Sequence, residues 1–175
     1  MDQSLVSVYL IILLGLLGVA AFFIFRQIVK TRKVEKNLSA LQDKLSQSKG
    51  STQEYFEMGS IMLSKKLYSQ ASALLLKALK RADKEGETEI APIFNALGYA
   101  YFAQEQYDLA IKQYREALEQ KPDYVTALNN LGHAYEKKNL TKPALEAYEQ
   151  VLKLDEKNST AKKRSESLKK RLVVS

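Results

Sequence analysis

The chain contains no cysteine and no tryptophan, and His133 is its only histidine. The lack of cysteine excludes disulfide bridges, thiolate zinc sites, iron–sulfur clusters and cysteine nucleophiles. A single histidine also excludes metal motifs that need two of them. No glycine-rich phosphate loop, G-x-S-x-G elbow or H-E-x-x-H pattern occurs in the sequence. We therefore predict that the protein is not an enzyme and has no catalytic residue, metal site, cofactor or small-molecule substrate.

The positive charge of the chain is concentrated in two segments. The net charge is +7 over 175 residues. Residues 26–50 hold seven basic and two acidic side chains, and residues 159–175 hold six basic and one acidic. Residues 51–158 are slightly acidic, with 14 basic against 16 acidic side chains. Because the middle of the chain has no basic excess, we predict no nucleic-acid partner.

An uncharged stretch of 21 residues covers 5–25. As a helix it would be about 31 Å long, which matches the hydrocarbon core of a bilayer. A cleavable signal peptide would have a shorter apolar stretch and a basic segment before it. Five basic residues follow the stretch within 26–36 and none precedes it, so the positive-inside rule places residues 1–4 on the translocated side. We predict a transmembrane helix over 5–25, and a basic juxtamembrane helix and linker over 26–51.

Two copies of a 34-residue pattern, 91–124 and 125–158, align without a gap, and a looser copy covers 52–85. The positions that match in the two clearer copies are Phe94, Leu97, Gly98, Tyr101, Ala110 and Tyr114, then Leu128, Leu131, Gly132, Tyr135, Ala144 and Tyr148. This pattern resembles the tetratricopeptide (TPR) repeat, a pair of helices. The resemblance implies an all-α fold, in which three TPR helix pairs form an α-solenoid after the transmembrane helix. Residues 159–175 then form a basic helix that caps the last apolar face.

In TPR proteins the first helix of each pair lines a groove, and the resemblance places eight residues of this chain there. These residues are Phe56, Asn95, Tyr99, Phe102, Asn129, Asn130, His133 and Glu136. Aromatic rings offer apolar area and amides hold backbone groups, so the resemblance implies a protein partner, although about half of the eight are expected to be packing residues. Chaperone-binding TPR proteins clamp a carboxylate with Lys, Asn, Asn, Lys and Arg, and this chain replaces all five, so we expect no such clamp. Those positions hold Phe56, Ser60, Ala96, Thr126 and Asn130.

The order of segments narrows the resemblance further. The chain consists, in order, of a short tail predicted to be translocated, an apolar anchor, a basic helix, three repeats and a basic end. Over its full length it is similar to the small membrane-bound TPR proteins of cyanobacteria and red-algal-type plastids that assist photosystem I assembly. That resemblance implies photosystem I subunits or other assembly factors as partners. It also implies a thylakoid membrane location, with the TPR repeats on the stromal or cytoplasmic side.

Two other classes of protein share part of this arrangement. A bacterial inner-membrane TPR scaffold for envelope complexes would have the same anchor and repeats. An import receptor of the outer mitochondrial membrane would also have an anchor and a groove, although its groove would be mainly apolar. Both alternatives stay open at the level of the sequence.

Overall fold

The computed structural model describes residue 9, residues 12–29, residues 32 and 39, and residues 50–174. The chain divides after Ser48 into two compact units. Each unit is described below by itself.

The continuous described part of the first unit is a helix, α1 (Ile12–Val29). Its 18 residues have a mean hydropathy of 2.2 and none of them is buried, so α1 is long and apolar enough to cross a membrane. The helix continues beyond the predicted end of the apolar span at Phe25, through Arg26. Some of the N-terminal predictions lie outside the described residues. These are the tail 1–4, residues 5–8, 10 and 11 of the span, and most of the segment 26–51.

Seven helices form the described part of the second unit, which contains no strand. They are α2 (Thr52–Ser64), α3 (Tyr68–Glu85), α4 (Ala91–Ala103), α5 (Tyr107–Gln120), α6 (Val125–Lys137), α7 (Thr141–Leu154) and α8 (Ser159–Val174). Contacts are most extensive within the pairs α2–α3, α4–α5 and α6–α7, and each pair packs on the next. Helix α8 packs on α7 and buries Ala161 and Leu168. The predicted all-α fold, with three helix pairs and a terminal capping helix, is confirmed.

The ends of the first helix pair show how the local sequence sets its limits. Ser51, at the end of the predicted linker, is the N-cap of α2. Its hydroxyl oxygen accepts a hydrogen bond from the backbone N–H of Glu54, and the Glu54 carboxylate accepts one from the backbone N–H of Ser51. At the other end, α3 stops at Gly86, which has φ 68° in the left-handed region. The five residues from Gly86 to Ile90 separate this pair from the next.

Small residues lie where the two helices of a pair cross. A Cβ atom built on Gly98 would approach the Tyr114 ring to 2.6 Å, and one on Gly132 would approach Tyr148 to 2.8 Å. Ala110 and Ala144, on the opposing helices, are fully buried. The tyrosine rings therefore occupy the volume that the glycines leave empty.

The turn inside each pair contains a non-glycine residue in the left-handed region: Lys66, Glu105 and Asn139, with φ of 61°, 60° and 58°. After each of them the next residue returns its N–H to a carbonyl five residues earlier. These bonds join Leu67 to Met62, Gln106 to Tyr101 and Leu140 to Tyr135. The pattern is a Schellman-type helix end, repeated in all three pairs, with a polar side chain where glycine is more common.

Candidate protein-binding groove

The first helices of the three pairs form the inner wall of the solenoid. Helix α2 contacts α4 and α4 contacts α6, in addition to the contacts that each makes with its own partner. Elements on the inside of a curved stack lie closer together than those on the outside, so these helices face the concave side. The eight residues that the sequence analysis placed in the groove all lie on α2, α4 and α6.

The aromatic residues of the groove differ in how accessible they are. Tyr99 is 43% exposed, and its ring meets Tyr68 edge-on at 6.4 Å. Phe102 is half-buried, packs against the hydrophobic core, and has its ring centroid 4.8 Å from that of His133. Phe56 is also half-buried. Tyr99 is therefore the accessible apolar contact, whereas Phe102 also holds α4 against its neighbours.

The asparagines are partly used within the protein. Asn130 donates a 3.0 Å hydrogen bond from Nδ2 to Oδ1 of Asn95, which joins α6 to α4. The Oδ1 atom of Asn129 is buried and accepts no hydrogen bond from the described residues. A buried acceptor without a donor is costly, so this oxygen favours a donor supplied by an ordered water or by a change in its side-chain conformation. Asn95 and Asn129, which occupy the same position one repeat apart, therefore differ: the oxygen of Asn95 accepts a hydrogen bond and that of Asn129 accepts none from the described residues.

Glu136 is held by two side chains from other helices. It accepts a 2.7 Å hydrogen bond from the hydroxyl of Tyr148, and Arg164 of α8 contacts its other oxygen at 3.4 Å. Burial, reinforced by that hydrogen bond, raises the pKa of Tyr148, so the phenol stays protonated as a donor. The Glu136 side chain is only 12% exposed. It therefore organises the groove more than it offers a free charge.

His133 lies between the aromatic part and the charged part of the groove. Burial, followed by the positive charge of Arg164, lowers its pKa below the ordinary value, so it is neutral at neutral pH. The sequence analysis did not assign Arg164 to the groove. The repeat spacing could have identified Arg164, because it follows Asn130 by one repeat length of 34 residues. In the structure, Asn130 contacts Asn95 of α4 and Arg164 contacts Glu136 of α6.

Within the described residues, no group of three or more His, Asp or Glu side chains is arranged to hold a metal ion. The groove instead combines an exposed ring, amides and a held carboxylate. Such a surface is chemically suited to recognising a polypeptide through apolar contact and hydrogen bonds.

Comparison with known families defines the class of protein. A family model described as TPR repeat matches residues 98–139, and one described as tetratricopeptide repeat matches residues 125–158. TPR domains bind protein partners and are typically non-catalytic scaffolds. The solved structure of MamA has a TM-score of 0.69 and 21% identity, covering 75% of this chain and 74% of that one. That likeness supports the fold.

Relatives extend the similarity over almost the whole chain. The chloroplastic tetratricopeptide repeat domain-containing protein PYG7 of Arabidopsis thaliana is 40% identical over 173 residues. The match covers 99% of this chain, which spans 57% of the length of PYG7. The protein ycf37 of Cyanophora paradoxa is 38% identical over 164 residues, covering 94% of this chain and 95% of that protein. The chain belongs to the ycf37 family of TPR proteins, which confirms the resemblance to a plastid and cyanobacterial TPR family.

Proposed function

We propose that the protein is a membrane-anchored TPR scaffold that assists the assembly or stability of photosystem I. The observation that carries the proposal is the groove of first helices, in which α4 presents the exposed ring of Tyr99 and α6 carries an amide oxygen, that of Asn129, without a donor among the described residues. The chloroplast location in the name of PYG7 supports a plastid or cyanobacterial setting. The photosystem I part rests on the resemblance of the segment order and repeats to TPR proteins that assist its assembly.

Anchoring in the thylakoid membrane is the second part of the proposal. Helix α1 has the length and apolar composition of a single membrane span. The basic residues that follow the span favour a stromal or cytoplasmic location for the TPR repeats. In that location the groove would meet the stromal parts of photosystem I subunits, or other assembly factors, during assembly.

Within the groove, Tyr99 is the proposed apolar anchor for the partner. Interface energy concentrates in a few aromatic residues that become buried on binding, and this ring is accessible before binding. Asn129 is proposed to hydrogen-bond a backbone group of the partner once its side chain reorients, because its buried oxygen has no donor among the described residues in the unbound protein. Phe102, His133 and Glu136 would shape this surface, with Phe56 and the Asn95–Asn130 pair beside them.

The test is capture of photosystem I assembly intermediates by the tagged full chain in its source organism. We expect Tyr99→Ala to reduce capture at least about tenfold, as is usual for an interface anchor. Leu76→Ala is the matched control, because Leu76 is 48% exposed on α3, which is a second helix and does not line the groove. Both variants should keep their helical content and membrane attachment.

A strain that lacks the protein should accumulate less photosystem I relative to photosystem II. Normal photosystem I in that strain would reject the proposed function, whatever the groove binds. Fractionation of the source cell separates the alternatives, since an envelope scaffold or an import receptor would not be found in thylakoids.

A further inference from the structure

We propose that α8 is the fourth helix of the groove, and that one flank of it binds an acidic, extended segment of the protein partner. This inference deepens the proposed function and rests on the groove described above. The sequence alone predicts that the whole basic end, residues 159–175, acts as a cap. The structure divides it into two flanks with different surroundings.

The register of α8 continues that of α6. Ala161 follows Ala127 by 34 residues, and both are fully buried. Arg164 likewise follows Asn130 by 34 residues. Asn130 contacts Asn95 on α4, and Arg164 contacts Glu136 on α6. Thus α8 occupies the position that the first helix of a fourth repeat would have.

The other face of α8 explains why the solenoid stops there. The glycine that lets a second helix cross, Gly132 in α6, is replaced one repeat later by Glu166. The large apolar residues Leu128 and Leu131 are replaced by Lys162 and Ser165. A second helix would have neither space nor apolar surface to pack on, so α8 caps the solenoid.

The groove-side flank of α8 is basic and polar. An open depression on it is lined by Ser159, Thr160, Lys163, Arg164 and Ser167. Arg164 is tied to Glu136, whereas no hydrogen bond or ion pair of the Lys163 ammonium group occurs among the described residues. Lys163 therefore gives this flank a positive charge that no ion pair within the described residues compensates, with hydroxyl groups beside it.

The opposite flank is electrostatically different. Glu166, the single acidic residue of α8, lies there with Lys162 and Lys169 in a depression shared with α7. The ammonium of Lys169 lies 2.8 Å from a carboxylate oxygen of Glu149. The positive charges on this side are thus partly compensated within the protein.

Charge complementarity identifies the occupant of the groove-side flank as carboxylates. Ammonium and hydroxyl donors favour Asp and Glu side chains. The contact of Arg164 with Glu136 joins this flank to the groove, whose exposed Tyr99 ring suits a polypeptide partner. Helix α8 has no aromatic side chain on which nucleic-acid bases could stack. We therefore assign the site to an acidic segment of a protein that also crosses the rest of the groove.

The experiment measures which peptides the full chain binds on an array of short, random-sequence peptides, with the protein in detergent micelles. We expect bound peptides to be enriched in Asp and Glu. Lys163→Glu should abolish that enrichment and weaken selected acidic peptides about five- to tenfold. Lys162→Glu is the matched control: it makes the same change of charge at the neighbouring residue, which lies on the opposite flank. It should retain the enrichment.

Several results would overturn the inference. These are the absence of acidic enrichment, its persistence in Lys163→Glu, or an equal loss in both variants, which would indicate a nonspecific charge effect. Acetylation of lysines tests a membrane occupant, with the chain in phosphatidylcholine vesicles with or without phosphatidylglycerol. Protection of Lys163 by the anionic lipid would assign the flank to a membrane surface instead.

The outcome is separable from that of the proposed function. Acidic enrichment that depends on Lys163, in a protein whose loss leaves photosystem I normal, would support this site and reject the photosystem role. Capture of photosystem I that depends on Tyr99 but not on Lys163 would support the photosystem role and reject this site.

Discussion

Individual side chains in the groove differ in whether their polar groups already form hydrogen bonds within the protein. Glu136, Asn95 and Asn130 form hydrogen bonds with other helices, whereas the buried oxygen of Asn129 accepts none from the described residues. Tyr99 contacts Tyr68 edge-on but stays 43% exposed. Residue type alone does not separate the two sets, since both contain asparagine. Whether a polar group in the groove is hydrogen-bonded depends on its distance to side chains of other helices, which lie far from it in the sequence.

His133 makes a specific prediction about pH. Its folded-state pKa is lowered by burial and then by Arg164, so the folded protein binds fewer protons than the unfolded chain. Its stabilising contribution is complete above the unfolded pKa of about 6.5 and is lost as the pH falls below it. We expect the free energy of unfolding to decrease between about pH 7.5 and 5.5. Denaturant titrations at several pH values measure this change.

His133→Gln is the control for that prediction, because the chain has no other histidine. In this variant the free energy of unfolding should be nearly flat over the same pH interval. The pKa of Glu85 is also lowered, chiefly by the hydrogen bond from Thr52, but a carboxyl titrates at lower pH. An equal slope in the variant would show that His133 is not the responsible group.

At the level of helices, the crossing of α4 and α5 depends on the glycine at its centre. Gly98→Ala would bring a methyl group to 2.6 Å from the Tyr114 ring, which is almost fully buried. Overpacking of this kind costs about 1–3 kcal/mol, partly offset by the higher helix propensity of alanine. We expect a net loss of stability, which thermal or urea unfolding will detect.

The first repeat provides the control for this crossing, since Leu75 there opposes Gly59 as Tyr114 opposes Gly98. In a Tyr114→Leu background, Gly98→Ala should therefore be less destabilising than in the wild type. A double-mutant cycle measures the difference. Strict additivity of the two substitutions would contradict the proposed steric conflict.

For the whole molecule, the distribution of charge predicts a topology. If α1 spans the thylakoid membrane with the basic segment on the stromal side, protease added to right-side-out thylakoids should remove the TPR repeats. A lumenal protein that stays intact is the control for membrane integrity. Complete protection of the repeats would reverse the proposed orientation, and extraction of the chain by alkaline carbonate would reject the membrane span.

The helix pairs were predictable because their signal is local and repeated. The 34-residue period, the glycine and alanine at each crossing and the uncharged N-terminal stretch all follow from steric and solvation requirements within a short segment. The Schellman-type turns at Lys66, Glu105 and Asn139 were not predicted, because these side chains do not identify left-handed residues as glycine does.

The sequence by itself determined the all-helical repeats, the distribution of charge and the apolar N-terminal segment. The tertiary structure alone decided which groove residues are available, because availability depends on partners contributed by other helices. Tyr148 and Arg164 reach Glu136 from α7 and α8, and Asn130 reaches Asn95 from α6. The tertiary structure also showed that the basic end has two sides with different surroundings. Lys163 and Arg164 line one depression, whereas Lys162 and Lys169 line another that includes Leu152 of α7.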